Sequence, residues 1–266
     1  MNSNKKKIII IGPAYPYRGG NSLFVSHVYD ALKEDFEVKI LNYSLLYPSI
    51  LFPGKTQYDE STTLIKKAPN ERLVNSISPI SWIQVANRII KENPDLVVFD
   101  WWHPFFAFCH FTISELIKKK FRKKILFITE NFISHEGNFI DKRLTDIGLK
   151  NASAFMVLSG IVEKEVKIIA NGRKVYKSEL PIYDCYETAE TASPSNLSEK
   201  FGFSEQDKVL LFFGYVRKYK GLDLLIDAFP KIKTSIPNSK LLIVGEFYDS
   251  PELYTDKIKK LGIAEN

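Results

Sequence analysis

Val209–Gly221 reads VLLFFGYVRKYKG, and LDLLIDAF follows it directly. Val209–Phe213 are apolar without a break, the texture of a strand buried on both faces of a parallel sheet. Gly214 ends the run. Arg217, Lys218 and Lys220 come next, and Gly221 opens a segment with apolar residues at 222, 225, 226 and 229. That spacing is the stripe of an amphipathic helix. The order is therefore buried strand, glycine, cationic loop, glycine, helix. A helix start leaves N–H groups unpaired and carries partial positive charge. Arg and Lys beside it make a seat for a phosphate or diphosphate. The same residues also read as an ordinary βα loop with solvated cations, and the loop by itself leaves both readings open.

The same pattern opens the chain. Lys7–Ile11 reads as a strand apolar on both faces, Gly12–Asn21 (GPAYPYRGGN) as a loop, and Leu23, Phe24, Val28, Ala31 and Leu32 as one side of a helix. Glu37–Leu41 is the next strand. Strand, loop, helix, strand is the start of a doubly wound α/β sheet. The loop is not the dinucleotide fingerprint, because the glycines required after Gly12 are Ala14 and Tyr17. Gly19-Gly20 stands just before the helix, where backbone N–H groups can face a ligand closely or where a positive φ is needed.

Further strands are expected at Thr62–Lys66, Asp95–Phe99, Lys124–Thr129, Ala154–Leu158 and Val175–Tyr176, with helices at Pro79–Asn93, Phe105–Lys119, Ile140–Lys150 and from Ile161 to Ala170. Asp100, His103 and Pro104 interrupt the aromatic run DWWHPFFAFCHF, which is too short to span a membrane. Trp101, Trp102 and His103 fall where a strand gives way to its helix, a position that suits ligands, and the two Trp read first as core aromatics. ENFISHEG after the Lys124–Thr129 strand carries Glu130, His135 and Glu136. A His beside carboxylates is either a general base or a hydrogen-bonded structural group. Residues 184–206 are polar and rich in Ser, Thr and Glu, the texture of a boundary. The expected organisation is a first domain over 1–183, a linker over 184–206 and the start of a second domain over 207–266.

The 266 residues are 45% hydrophobic and 26% charged, ordinary for one or two globular domains. Cys109 and Cys185 form no metal-type or disulfide pattern, so a reducing, cytoplasmic compartment fits. The formal charge of +6 is concentrated in Lys118–Lys124, six basic residues in seven. That run reads as a solvated helix end or as a contact with an anionic membrane surface. No zinc-finger or RNA-binding signature accompanies it, so nucleic acid is not expected.

Taken in order, Gly19-Gly20, VVFDWWHPFFAF, TENFISHE, LFFGYVRKYKGLDLLIDAF and LLIVGEF resemble the family 4 glycosyltransferases, retaining bacterial enzymes of GT-B architecture. The resemblance runs from Lys7 to the end. It implies an α/β, GT-B-like fold: an N-terminal Rossmann-like parallel-sheet domain on the acceptor side, then a second Rossmann-like domain that this sequence holds incompletely. It implies transfer of a sugar from a nucleotide-diphosphate sugar to a glycan or lipid-linked acceptor with retention. Arg217 and Lys220 would hold the donor diphosphate, Gly19 and Gly20 would form the acceptor-side loop, and His135 and Glu130 would act at the reacting centre. No metal or cofactor is implied. TENFISHE resembles T-x-HN-x-x-x-HE, but Glu130 stands where that pattern has its first His. Leu180-Pro181 replaces a His-Pro. The acidic E-x7-E motif would fall beyond Asn266, so an inactive, transferase-like binding module is the alternative.

Overall fold

In the computed structural model of the chain, residues 5–52, 54–60, 66–133, 139–183, 194–248 and 250–265 are described. They form two compact units, Met1–Phe52 with Thr56–Tyr186, and Pro53–Lys55 with Glu187–Asn266.

The first unit is built on seven strands: β1 (Lys7–Ile11), β2 (Glu37–Leu45), β3 (Asn70–Asn75), β4 (Leu96–Trp101), β5 (Ile125–Thr129), β6 (Ala154–Val157) and β7 (Lys174–Lys177). Their order is β3-β2-β1-β4-β5-β6-β7, and every neighbouring pair is parallel. Alternate residues enter two cores. Ile9, Ile11, Phe99, Phe127 and Phe155 face one, with α2 (Pro79–Glu92), α3 (Ala107–Ile117) and α5 (Gly160–Ala170) contributing Ile89, Ile113 and Val166. Ile8, Ile10, Val98 and Ile128 face the other, with Phe24 and Val25 of α1 (Gly20–Leu32). Burial on both faces is why these strands read as unbroken apolar runs.

Local chemistry sets the helix ends. The Ser78 side chain accepts from the Ser81 N–H at the start of α2, Pro79 takes the first turn, and Asn93 closes the helix in the left-handed region at φ 49°. The Ser159 side chain accepts from Val162 N–H at 3.2 Å to cap α5. These satisfy groups that a helix end otherwise leaves unpaired.

Four expectations are corrected. The strand expected at Thr62–Lys66 is not formed at Lys66, and residues 61–65 lie outside the described residues; the third strand is Asn70–Asn75. NERLVN hides it because only Val74 is buried. The helix expected from Phe105 begins as a 3-10 turn at Pro104–Phe106, where His103 Nδ1 accepts from Phe105 N–H at 3.1 Å. α1 begins at Gly20, inside the stretch read as loop. Within the expected linker, 184–193 lie outside the described residues, but Pro194–Phe201 form helix α6. A proline at the first helical position is pre-set for that start.

The second unit pairs β8 (Lys208–Phe213) with β9 (Ser239–Val244) in parallel. α7 (Leu222–Ser235) and α8 (Glu252–Lys260) pack on it through Leu222, Ile226, Phe229 and Tyr254. A Cβ at Gly245 would lie 1.8 Å from the Gly214 carbonyl oxygen, so only glycine permits the two strands to end this close together.

Candidate active site

The strand order of the first unit reverses between β1 and β4. In open α/β sheets ligands bind beyond the C-terminal ends of the strands at such a switch point. Gly12 leaves β1 there. A Cβ on it would lie 3.0 Å from Val25 and 3.1 Å from the Asp100 Cβ, so the loop runs hard against β4. Asn42, buried on β2, clamps that loop: its Oδ1 accepts from Ala14 N–H at 3.0 Å and its Nδ2 donates to Ala14 O at 2.9 Å.

The loop delivers Gly19 at φ 109°, a conformation that glycine adopts without strain. No side chain caps the start of α1. Nothing lies within 4 Å of where a Cβ would stand on Gly19 or Gly20. The side-chain positions of both glycines are therefore uncrowded among the described residues.

From the first turn of α1, Asn21 Nδ2 donates to Glu130 Oε2 at 2.7 Å. The Glu130 N–H donates to Trp101 O at 2.9 Å, which holds the residue beside the end of β4. Asp100, the last residue but one of β4, is 1% exposed. Burial pushes its carboxyl well above the usual range, and the Glu130 charge and hydrogen bond push it the same way. Burial raises Glu130 to about 7, against the hydrogen bonds from Asp100 and Asn21. One edge of the sheet thus gathers Gly12, Gly19, Gly20, Asn21, Asp100 and Glu130.

Glu130 also lines a cavity of about 510 Å³ with Asn131, Phe132, Leu158, Ser159 and Glu165 among its walls. Carboxylate, amide and hydroxyl groups set among apolar walls suit a polyhydroxylated ligand, whose hydroxyls need acceptors and whose C–H faces need apolar contact. His135 lies outside the described residues. Trp101 is fully buried and donates from Nε1 to Phe132 O at 3.4 Å, and Trp102 donates to the Tyr47 hydroxyl at 3.0 Å. Both are packing groups that shape the edge. Asp100 and Asn21 were not among the residues singled out from sequence.

In the second unit, Arg217 precedes a 3-10 turn over Lys218–Lys220, and Gly221, at φ 75°, starts α7. The Arg217 guanidinium stands 4.5 Å from the centre of the Tyr248 ring, and Lys220 Nζ 5.3 Å from that of Tyr219. The expected diphosphate pair shares one loop at the C-terminal end of β8. Aromatic contact with a guanidinium restricts its motion while leaving N–H groups to donate. Lys118–Lys124 lies elsewhere, in the connection from α3 to the N-terminal end of β5, at the edge of the first unit's sheet opposite the carboxyls. Among the described residues no helix is long and apolar enough to cross a membrane, and no group of three or more His, Cys, Asp or Glu is placed to hold a metal ion.

The fold is of the GT-B type, and the similarity to glycosyltransferases lies in the stretches matched below. The family matched is described as glycosyl transferases group 1, over residues 195–266. The chain is 25% identical over 255 residues to N-acetyl-alpha-D-glucosaminyl L-malate synthase of Bacillus anthracis, covering 91% of this chain and 61% of that protein. It is 29% identical over 118 residues to lipopolysaccharide 1,2-N-acetylglucosaminetransferase of Salmonella typhimurium, covering 44% of this chain and 29% of that one. The matched parts thus span less than two thirds of either curated relative. Among solved structures, the catalytic domain of starch synthase IV from Arabidopsis thaliana, bound to ADP and acarbose, has a TM-score of 0.64 at 11% identity, covering 99% of this chain and 73% of that chain. UDP-GlcNAc 2-epimerase from Methanocaldococcus jannaschii has a TM-score of 0.57 at 13% identity, covering 97% and 69%. Those two likenesses concern fold.

Proposed function

We propose that the protein transfers a hexose-type sugar from a nucleotide-diphosphate sugar to a hydroxyl of a glycan or lipid-linked acceptor, with retention of configuration. The observation that carries this reading is the placement of Glu130. It stands at the switch-point edge of the sheet, anchored by Asn21 and open to a cavity suited to a polyhydroxylated compound. In this reading the first unit holds the acceptor near Gly19, Gly20 and Glu130, with His135 in the adjoining loop. Arg217 and Lys220 hold the donor diphosphate. As the glycosidic bond breaks, charge grows on the leaving nucleoside diphosphate, and fixed cations with helix-start N–H groups stabilise it. That role falls to the chain's own groups, with no cofactor invoked.

The setting we propose is cytoplasmic. The exposed Lys119, Lys120, Arg122, Lys123 and Lys124, beside exposed Leu116 on α3, give a surface for peripheral contact with an anionic membrane. Because that surface is at the opposite edge from Glu130, it would tether the enzyme rather than feed the cavity directly.

Incubation of the chain with UDP-, GDP- and ADP-sugars, following nucleotide release and products, tests the reading. Saturable binding with release of nucleoside diphosphate supports it. Binding without turnover gives the inactive binding module. A C2-inverted nucleotide sugar as the product gives an epimerase, a reading that the shared fold keeps in view and that the absent dinucleotide fingerprint does not remove. No binding of any of the three contradicts the proposal.

A further inference from the structure

A carboxyl group seldom stands in the middle of an apolar strand without a partner that justifies it. Asp100 does so in LVVFDW, with Trp101 on one side and Phe99 on the other, both fully buried. Neither of its oxygens receives a hydrogen bond from an N–H or hydroxyl group, and Oε1 of Glu130 receives none either. The backbone sets the two carboxyls side by side: Glu130 follows the end of β5, and its N–H donates at 2.9 Å to the carbonyl of Trp101, the residue after Asp100. Each carboxyl is also among the groups that shift the other. Two ionised carboxylates so placed would repel each other in a buried setting. A single proton between them turns the same contact into a charge-assisted hydrogen bond.

We propose that Asp100 and Glu130 share one proton, and that Asp100 is a positioning residue that holds this proton and aims the Glu130 carboxylate, together with Asn21, into the cavity. The asymmetry of the site assigns the roles. Asp100 is sealed from solvent, whereas Glu130 is only partly buried, lines the cavity and has Asn21 on Oε2. The more buried group keeps the proton, and the one with a polar donor and access to solvent carries the charge. Burial raises both carboxyls above the usual range, as a retained proton requires.

Among the described residues, other groups that face the pair are few. Asn21 comes from α1, Glu165 of α5 lines the same cavity, and Tyr43 of β2 interacts electrostatically with Asp100. Among the described residues, burial and the partner carboxyl are the causes of the Asp100 shift, and no cation contributes to it.

This inference rests on the transferase reading for its chemistry. There, the acceptor hydroxyl gives its proton to the Glu130 carboxylate. Its oxygen pair forms the bond to the anomeric carbon from the face that the diphosphate leaves, so that configuration is retained, while the bond to the diphosphate breaks and its electron pair leaves with the nucleoside diphosphate. Glu130 then returns the proton to water through the cavity, and Asp100 keeps its own throughout.

The test is direct and needs no substrate. Side-chain carboxyls of the full chain, labelled with carbon-13 in Asp and Glu, are titrated by NMR in the wild type, Asp100→Asn, Asp100→Ala and Asn21→Ala. The expected result is a Glu130 midpoint near 7 and one Asp that stays protonated at pH 8, absent from Asp100→Asn. Asp100→Asn keeps a donor and leaves the Glu130 midpoint within about half a pH unit, whereas Asp100→Ala and Asn21→Ala raise it by about one pH unit or more. If Asp100→Ala does not fold, Asn21→Ala and the protonated Asp decide the matter. An ordinary Glu130 midpoint, or no Asp protonated at pH 8, overturns the proposal. If the pair titrates as expected and the chain transfers no sugar, the transferase reading fails while the pair stands. With transfer, the rising limb of kcat/KM against pH follows the same midpoints, which a merely structural Asp100 would not move.

Discussion

The Asn21 amide donates to Glu130 Oε2 at 2.7 Å, across 109 residues of chain. The bond ties the start of α1 to the end of β5, and so joins the glycine loop and the carboxyl into one site. Glu130 is raised to about 7 chiefly by burial. Its folded form therefore binds more protons than its unfolded form between the ordinary 4.5 and about 7. Stability falls as pH rises through that window and is level above it.

Glu130→Gln removes this charge while keeping the shape. At pH 5 the variant and the wild type should differ little in urea unfolding of the first unit. At pH 8 the variant should be more stable by about 1–3 kcal/mol, because a tenfold change in proton affinity between the folded and unfolded chain is worth about 1.4 kcal/mol. Equal stability at both pH values would show that Glu130 is an ordinary surface carboxylate.

A second carboxylate behaves in the opposite sense. Lys39 and Lys7, each with Nζ 2.9 Å from Glu92 Oε2, hold the Glu92 carboxyl down to about 2. Its stabilisation is complete above 4.5 and is lost as pH falls toward 2. Because the lysines are partly solvated, Glu92→Gln should cost only about 1 kcal/mol at pH 7. The difference should vanish at pH 2, as read by thermal melts across that range.

Gly148 closes α4 (Phe139–Gly148) against Trp101. A Cβ there would stand 2.3 Å from the indole ring, which is fully buried and hydrogen-bonded to Phe132 O. Gly148→Ala must displace that ring, and overpacking of this kind costs about 1–3 kcal/mol. Because Trp101 O also holds Glu130, the Glu130 midpoint should shift in the same variant. Adding Trp101→Phe, which makes room, should recover part of the stability.

The first unit's parallel sheet could be read from sequence because strands such as IIII and LVVF are buried on both faces and leave no polar alternation to confuse them. VLLFF also reads as a strand, but the expectation that it is buried on both faces is corrected. Val209, Leu211 and Phe213 are exposed, and only the face of Leu210 and Phe212 packs on the second unit's helices. β3 could not be read, since NERLVN buries one apolar side chain. α6 was hidden by the polar composition that suggested a linker. At the site, Gly19-Gly20 and Glu130 were visible as a loop and a motif. Asp100 was read only as an interruption in an aromatic run. Its partner is thirty residues away, and nothing short of the β4–β5 register, which sets Asp100 beside Ile128 and Trp101 beside Thr129, brings the two carboxyls together. A charged residue inside an otherwise apolar strand was the available signal.

The most direct test of the proposed nucleotide-sugar chemistry is calorimetric titration of the chain with UDP, GDP and ADP, repeated with Lys220→Ala and Arg217→Ala. The account predicts saturable binding of at least one nucleoside diphosphate, weakened by about tenfold or more in each variant, since a charge-assisted hydrogen bond contributes roughly 1.5–3 kcal/mol. Binding that is unchanged when Lys220 and Arg217 are both removed would contradict the assignment of this loop to the donor diphosphate.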